Sequence, residues 1–353
     1  MSENGLIQLG LCCLNTTLRA KREPIYSSRS IQLKTLETKG VEFLKEKIIQ
    51  NLKDTLTLMD WNEDNGIKVF RLSSELFPHM SNNKAPKYDF EFAKDLLIKV
   101  GEKSKQLNQR LTFHPGQYNV IGATSKEAFE NTIRDLKYHA DVLDLMNLDQ
   151  DSVMVIHGGG TYGDKTATKE RWCKQFRELP ENVQRRVVLE NCEKNFSIED
   201  CLEVSEKVNV PVVFDTHHFE CYKQLHKDEE FKPAEYYIPL ILKTWEKRGI
   251  KPKFHVSEQG SGKIGHHSDY IETIPDYLLE IPEKYLVEID IMIEAKMKEL
   301  AIFHLYNKYP FLNLKKKDNK VLKSKELKEK GKRIKCDGML WTKICQEGCL
   351  CCV

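Results

Sequence analysis

Residues 187–218 read VVLENCEKNFSIEDCLEVSEKVNVPVVFDTHH, and this stretch sets the fold. Two short apolar runs, VVLE and VVFD, each end in a carboxylate, at Glu190 and Asp215, and a helix-period segment at 197–208 separates them. A strand that buries its length and presents an acid or a histidine at its C-terminal end is the signature of a (β/α)8 barrel, whose active sites gather at that face. Four more runs repeat the pattern: LTFH ends at His114, VMVIH at His157, PKFH at His255 and LVEIDIMIE at Glu294.

Working outward, apolar runs near 6–13, 67–72, 111–114, 152–157, 186–190, 211–215, 252–256 and 285–290 give eight expected strands. Helix-period stretches alternate with them at 30–59, 88–107, 125–147, 165–178, 197–208, 233–247, 268–280 and 294–307. In the third of these Ser125 is a candidate N-cap, and Ala128, Phe129, Ile133, Leu136, Ala140, Leu143 and Leu145 make one apolar face. Pro115 and Pro211 stand at strand ends, where a missing N–H is tolerated. Eight such units point to a closed TIM (β/α)8 barrel rather than a doubly wound open sheet. The expected organisation is a barrel domain over 1–310 and a flexible Lys-rich and Cys-rich tail over 311–353.

Composition sets the outer bounds. With 40% hydrophobic and 31% charged residues the chain has the make-up of an ordinary soluble protein. It contains no apolar stretch long enough to span a bilayer, and MSENGLIQLG lacks the basic and apolar regions of a signal peptide. An intracellular monomer, cytoplasmic or nuclear, without a membrane partner is expected. Cys12, Cys13, Cys173, Cys192, Cys201 and Cys221 are scattered as free thiols would be, while Cys336, Cys345, Cys349, Cys351 and Cys352 crowd the end without a CxxC…CxxC framework and read as a loose tail of reactive thiols, with a small zinc knot or a disulfide-bonded tail as the alternatives. The net charge of +2 hides an uneven distribution: residues 315–335 carry eleven Lys/Arg against three acids. A basic segment on a mildly acidic body suits a sequence-independent nucleic-acid tether, or only a solvated tail.

The candidate site comes from the strand ends. His114 and His157 each end a β-rich run and are followed by Pro-Gly or Gly-Gly-Gly, which turns the backbone away and leaves the imidazole at the mouth. Glu190 and Asp215 share that geometry. His218, three residues past Asp215, can join it across a first turn of helix. Lys253 and His255 are two apart and therefore face the same side of a strand. A lysine among divalent cations must be deprotonated, converted to a carbamate, or aimed at phosphate. His267 with Asp269 fits a ligand oriented by a carboxylate, and Glu294, with Glu288 and Asp290 near it, follows the last strand run. His139, His226 and His304 fall away from strand ends and are read as ordinary hydrogen-bonded residues; His79 is left out of the set.

Eight mixed His and carboxylate candidates suit Mn²⁺, with Zn²⁺ or Fe²⁺ as the other possibilities, better than Mg²⁺, and are enough for two or three ions. Multinuclear sites of this kind favour in-line displacement at phosphorus. A sugar isomerase on the same architecture is the more distant reading, and a binding module without turnover has no use for such a ligand set.

The motifs FRLSS (70–74), FHPGQYNV (113–120), IHGGG (156–160), LEN (189–191), VVFDTHHF (212–219), KFHVS (253–257), HSDY (267–270) and DIMIEAK (290–296) together resemble the UV damage endonucleases. These are barrel enzymes that nick DNA beside pyrimidine dimers and are similar to endonuclease IV. The resemblance spans residues 6–307. It implies metal ligation by His114, His157, Glu190, Asp215, His218, His255, His267 and Glu294, with Lys253, Glu190 and Glu294 as the residues of catalysis. It also implies that Gln117 and Tyr118 wedge into damaged double-stranded DNA, and that the cut falls immediately 5′ of the lesion, leaving a 3′-hydroxyl and a 5′-phosphate. An abasic-site endonuclease of the endonuclease IV type is the alternative. Where the family usually carries an aromatic after the glycine of strand one, this chain has Leu11, which implies an altered lesion preference.

Overall fold

The computed structural model describes residues 6–315, so the tail from 316 onward, with most of the Lys-rich run and the last five cysteines, lies outside the described residues. Eight parallel strands form the centre: β1 (Ile7–Cys12), β2 (Val69–Arg71), β3 (Arg110–Thr112), β4 (Met154–His157), β5 (Val187–Glu190), β6 (Val212–Asp215), β7 (Lys253–Val256) and β8 (Ile289–Ile293). They pair in the order 3-2-1-8-7-6-5-4. Phe113, just past β3, closes the remaining seam: its N–H donates to Val153 O and its carbonyl accepts from Val155 N, both at 3.0 Å. The sheet thus returns on itself as a TIM barrel.

Local chemistry sets the helices between the strands. Ser125, Asp164 and Ser197 accept N–H groups at the starts of helices Lys126–Leu145, Lys165–Arg177 and Ile198–Val208, and Ser197 forms a reciprocal capping box with Asp200. Leu9, Leu11, Phe70, Leu111, Phe113, Phe254, Ile291 and Ile293 are buried in the apolar layer shared with those helices.

Several expected elements move. The last strand is at 289–293 rather than 285–290, because Leu286 is left-handed (φ 57°) and ends the short helix Ile281–Tyr285. This shift places Glu294 directly after the strand. The helix expected over 268–280 is reduced to Asp276–Leu279; ahead of it the N–H groups of Glu272 and Thr273 are held by the Glu258 carboxylate instead of a helical ladder. A helix not expected beyond its first turn, Thr216–Leu225, follows β6.

The barrel interior is unusually polar, since layers of branched apolar side chains normally fill it. At its base Asp290 meets Arg110 Nη1 at 2.7 Å and Lys251 Nζ at 2.6 Å. Above that pair, Lys253 Nζ crosses from β7 to donate to Thr112 Oγ1 on β3 at 3.2 Å. Two sequence readings are corrected by this arrangement. Asp290 stands at the opposite end of the barrel from Glu294, and Glu288 lines a cavity at that base, because the strand between them separates the two ends. Leu11 is fully buried on the outward side of β1, in the apolar layer, and is not a residue of the barrel mouth.

One packing contact tests the arrangement of the outer helices. Gly101, within helix Lys94–Leu107, lies so close to the next helix that a Cβ there would sit 1.7 Å from the Met146 carbonyl oxygen. Gly101→Ala is expected to lower stability by roughly 1–3 kcal/mol through overpacking, read as a reduced denaturant midpoint. An unchanged midpoint would show that the two helices part without cost.

Candidate metal centre

Glu190 is the hub. Its side chain is inaccessible to solvent, and four imidazoles surround its two oxygens. His255 Nδ1 lies 2.7 Å from Oε1 and His114 Nε2 lies 3.0 Å from Oε2. His157 Nε2 is 3.6 Å from Oε2, and His218 Nδ1 is 3.8 Å from Oε1. Parallel register explains the convergence, since β4 and β5 pair His157 with Glu190 and β6 and β7 pair Asp215 with His255.

The D-T-H-H run has a specific local cause. Asp215 ends β6 and is also the N-cap of helix Thr216–Leu225: its Oδ1 accepts the His218 N–H at 2.8 Å. Its Oδ2 is buried without a partner and lies 3.8 Å from His218 Nδ1. Asn191 clamps the end of β5 to that of β6, its side chain pairing with both the N–H (2.8 Å) and the carbonyl (3.0 Å) of Asp215. Its own carbonyl accepts from His218 Nδ1 at 3.0 Å, which fixes the ring and leaves Nε2 for another partner. His217 turns instead toward Cys221 Sγ, 3.5 Å away.

Glu294 completes the group from β8. It is 3.2 Å from His255 Nδ1 and 3.9 Å from His267 Nδ1, and it forms an ion pair with Arg71 of β2. The eight candidates, six from strand ends, His218 from the helix after β6 and His267 from a loop, are therefore brought into one connected cluster. Asp269, read as the orienting partner of His267, is exposed and faces Lys296 at 3.9 Å; the loop carrying it turns outward. Cys12 does end β1 inside the barrel, but its thiol, pushed up to about 12 by burial, donates to Ile293 O, and it belongs to none of the candidate ligand trios. His79 bonds Ile31 O, His139 is buried against Asp135 O, His226 stacks on Tyr222 and His304 pairs with Glu272.

Protonation follows from burial and from the carboxylates. Burial lowers His157 and His255 to about 4 despite the nearby Glu190, so both are neutral at pH 7. For His218 burial acts the same way, but Asp215, Glu190 and Glu294 outweigh it and push the ring up to about 9. Burial raises Asp215 to about 7, with His218 opposing the rise. Burial also disfavours the ionised Glu190, and the rings of His255, His157 and His114 more than reverse that effect, holding it well below the usual carboxylate range. Lys253 is lowered to about 7 by burial and by the cations Arg71 and Arg110.

Above the cluster opens a cavity of ≈ 320 Å³, walled by Arg71, His114, Gln117, His157, Glu193 and Glu294 among others. Gln117 thus faces the cluster directly. Tyr118 stands 66% exposed at the rim, its ring folded over Gly116 and its hydroxyl donating to Asp135 Oδ1 at 3.0 Å. Sequence reasoning gave no role to Asn191 or Glu193. Asn191 was visible within LEN, whereas nothing in the loop sequence marks Glu193.

The donor set fits divalent cations. Three trios (His114, Glu190 and His255; Glu190, Asp215 and His218; Asp215, His255 and Glu294) each bring a ligand atom per residue within 4.8 Å of the others. His157 Nδ1, Asp215 Oδ2 and His255 Nε2 are buried with no hydrogen-bond partner among the described residues, a cost that a ligated cation would remove.

Comparison with known proteins gives a consistent answer. Residues 7–325 match the family described as UV-endonuclease UvdE. A protein of Acanthamoeba polyphaga mimivirus assigned as a UV-damage endonuclease is 39% identical over 331 residues, covering 92% of this chain and 98% of its own length. The UV-damage endonuclease of Schizosaccharomyces pombe is 36% identical over 87% of this chain, which spans only 51% of that protein. Among solved structures, the crystal structure of SacUVDE superposes with a TM-score of 0.74 at 29% identity, over 87% of this chain and all of that one.

Cation uptake should displace protons. At pH 7 the metal-free cluster holds a proton on His218 and part of one on Asp215, whereas both must ligate deprotonated; His157 and His255 have none to lose. Titration calorimetry with Mn²⁺ in buffers of different ionisation enthalpy should show release of about one to two protons, and affinity should rise from pH 6 to pH 9. A binding heat independent of buffer would overturn this protonation scheme.

Proposed function

The chain belongs to the UV-endonuclease UvdE family, and from that premise we propose that it nicks damaged double-stranded DNA immediately 5′ of UV photoproducts in a metal-dependent reaction. The observation that carries the reading is the convergence of seven other His and carboxylate side chains on the buried Glu190 and its neighbours, beneath a cavity walled in part by Gln117. Membership of the family makes the protein a DNA repair endonuclease. The position of the cut, the lesion and the metals are the further steps of this proposal.

His114, His157, Glu190, Asp215, His218, His255, His267 and Glu294 would hold two or three ions, Mn²⁺ first and Zn²⁺ or Fe²⁺ as the alternatives. Glu190, Asp215 and His255 each belong to two of the trios, and so broad a donor set would suffice to hold more than one ion. Ions bound there supply a water activated for attack and positive charge for the phosphate oxygens. The new P–O bond forms as the bond to O3′ breaks, so O3′ takes a proton and the phosphate stays on the lesion-side nucleotide.

The chain's own groups supply the rest. Glu190 and Glu294 keep the ionised oxygens in place, each fixed by imidazoles and Glu294 also by Arg71. Arg71, in the cavity wall, is positioned to meet a phosphate. Lys253, beneath His255 and held by Thr112, is lowered to about 7 chiefly by burial, which favours the deprotonated amine, or the carbamate that forms from it, over a fixed cation aimed at phosphate. Gln117 and Tyr118 can fill the gap left by an extruded dinucleotide, a step made easier where a dimer already stacks poorly. The Lys-rich run 315–335 adds sequence-independent affinity. The enzyme is expected to act as a monomer inside the cell, and no helix among the described residues is long and apolar enough to cross a membrane.

An end-labelled duplex with one cyclobutane dimer, set beside undamaged and abasic duplexes, tests the proposal. The expected result is a Mn²⁺-dependent cut just 5′ of the dimer, abolished by chelator and absent from undamaged DNA. Cleavage of the abasic duplex alone would favour the endonuclease IV-type alternative. Replacing Gln117 and Tyr118 together by alanine should lower cleavage of the dimer duplex by about tenfold or more, on the scale of a lost stacking contact. An equal rate for the variant would remove the wedge from the mechanism.

A further inference from the structure

Two tyrosines project from the barrel mouth at matching places. Tyr118 lies four residues past His114, and Tyr162 lies five residues past His157 on the loop after β4. Tyr162 is 51% exposed, and its hydroxyl makes no hydrogen bond among the described residues. The two loops touch. Gly159 has a φ of 86°, and a Cβ there would lie 2.5 Å from Val120 Cγ1, so the backbone of the second loop rests against the loop that carries Gln117 and Tyr118.

Tyr162 is nonetheless held firmly. The Thr161 carbonyl accepts the Asp164 N–H at 3.0 Å and the Thr168 hydroxyl at 2.8 Å, which pins the turn on either side of it. The Arg171 guanidinium carbon sits 5.5 Å from the Tyr162 ring centroid. Arg171 is itself fixed, with Nε donating to Gly122 O at 2.7 Å and Nη2 to Thr168 Oγ1 at 3.0 Å. Tyr162 also has a φ of 51°, in a region that residues with a Cβ enter at a cost. Folding does not account for a large aromatic that is exposed, rigidly mounted and left-handed. A prepositioned ring costs little entropy when it binds a flat partner.

We propose that Tyr162 is a DNA-positioning residue, stacking its free face on a nucleobase of the damaged duplex while Arg171 behind it offers positive charge to the strand. The inference rests on the reading of the protein as an endonuclease for damaged DNA. Tyr118 and Tyr162, on abutting loops, would then each offer an aromatic face to the duplex. Nucleobases stack on such rings without sequence preference, which suits an enzyme that must accept any neighbours of a lesion.

The test compares Tyr162→Leu, which keeps bulk but loses the aromatic face, with Tyr162→Phe, which keeps it. Affinity for dimer-containing and undamaged duplexes is measured by fluorescence anisotropy on the Mn²⁺-loaded protein, with a non-cleavable methylphosphonate at the linkage 5′ of the dimer so that no strand is cut. A 2-aminopurine beside the lesion reports stacking, and thermal melting reports folding. Tyr162→Leu should bind the damaged duplex about tenfold more weakly, with reduced 2-aminopurine quenching and an unchanged melting temperature, while Tyr162→Phe should match the wild type. Wild-type affinity and quenching in the leucine variant would refute the proposal, as would equal losses in both variants accompanied by a lowered melting temperature. A wild-type protein that shows no preference for the damaged duplex would instead bring down the functional reading, and this inference with it.

Discussion

The ionised carboxylate of Glu190, sealed from solvent at the C-terminal end of β5, is the constraint around which the rest of the site is arranged. A charge in that position is costly unless it is surrounded by donors. Here β3, β4, β7 and the helix after β6 each bring an imidazole to it, within 2.7–3.8 Å. A strand displaced along the barrel axis would strand either the carboxylate or one of its partners. The cluster therefore ties strand register to site geometry. The closing contact of Phe113 acts on the same relation, because it fixes β3 and its His114 against β4 and its His157.

The polar filling of the barrel extends that logic downward. An interior of Arg110, Asp290, Lys251, Lys253 and Thr112 gives up the apolar packing usual in such barrels, yet its charges are paired or lowered rather than left isolated. Lys253 is the informative case. Burial first, and then the cations Arg71 of β2 and Arg110 at the base, lower it to about 7, so its proton is easily lost at neutral pH.

Much of the site was legible because parallel strands of a barrel all point their C-terminal ends one way. Once VVLE, VVFD, LTFH, VMVIH and PKFH are read as strands, their terminal residues must share one mouth. Alternation along a strand likewise places Lys253 on the side of His255. The errors have equally local causes. Asp269 looked like an orienting partner from its spacing to His267, but a loop has no fixed period and it faces Lys296. Leu11 looked like a substitute for a rim aromatic, yet strand alternation turns it into the outer apolar layer while its neighbours Gly10 and Cys12 take the inner side.

What the sequence determined by itself is the list of chemical groups, the strand ends that carry them and, through its motifs, the family. Apolar periodicity and turn residues act over a few neighbouring positions and can be read without knowing the fold. Only the tertiary structure decided that Glu190 rather than Glu294 is the hub, that Asn191 locks Asp215, that Arg71 pairs with Glu294, and that the loops of Tyr118 and Tyr162 rest on each other. Those facts depend on the stagger between strands and on contacts between residues far apart in the chain, and neither is encoded in the spacing along any single run.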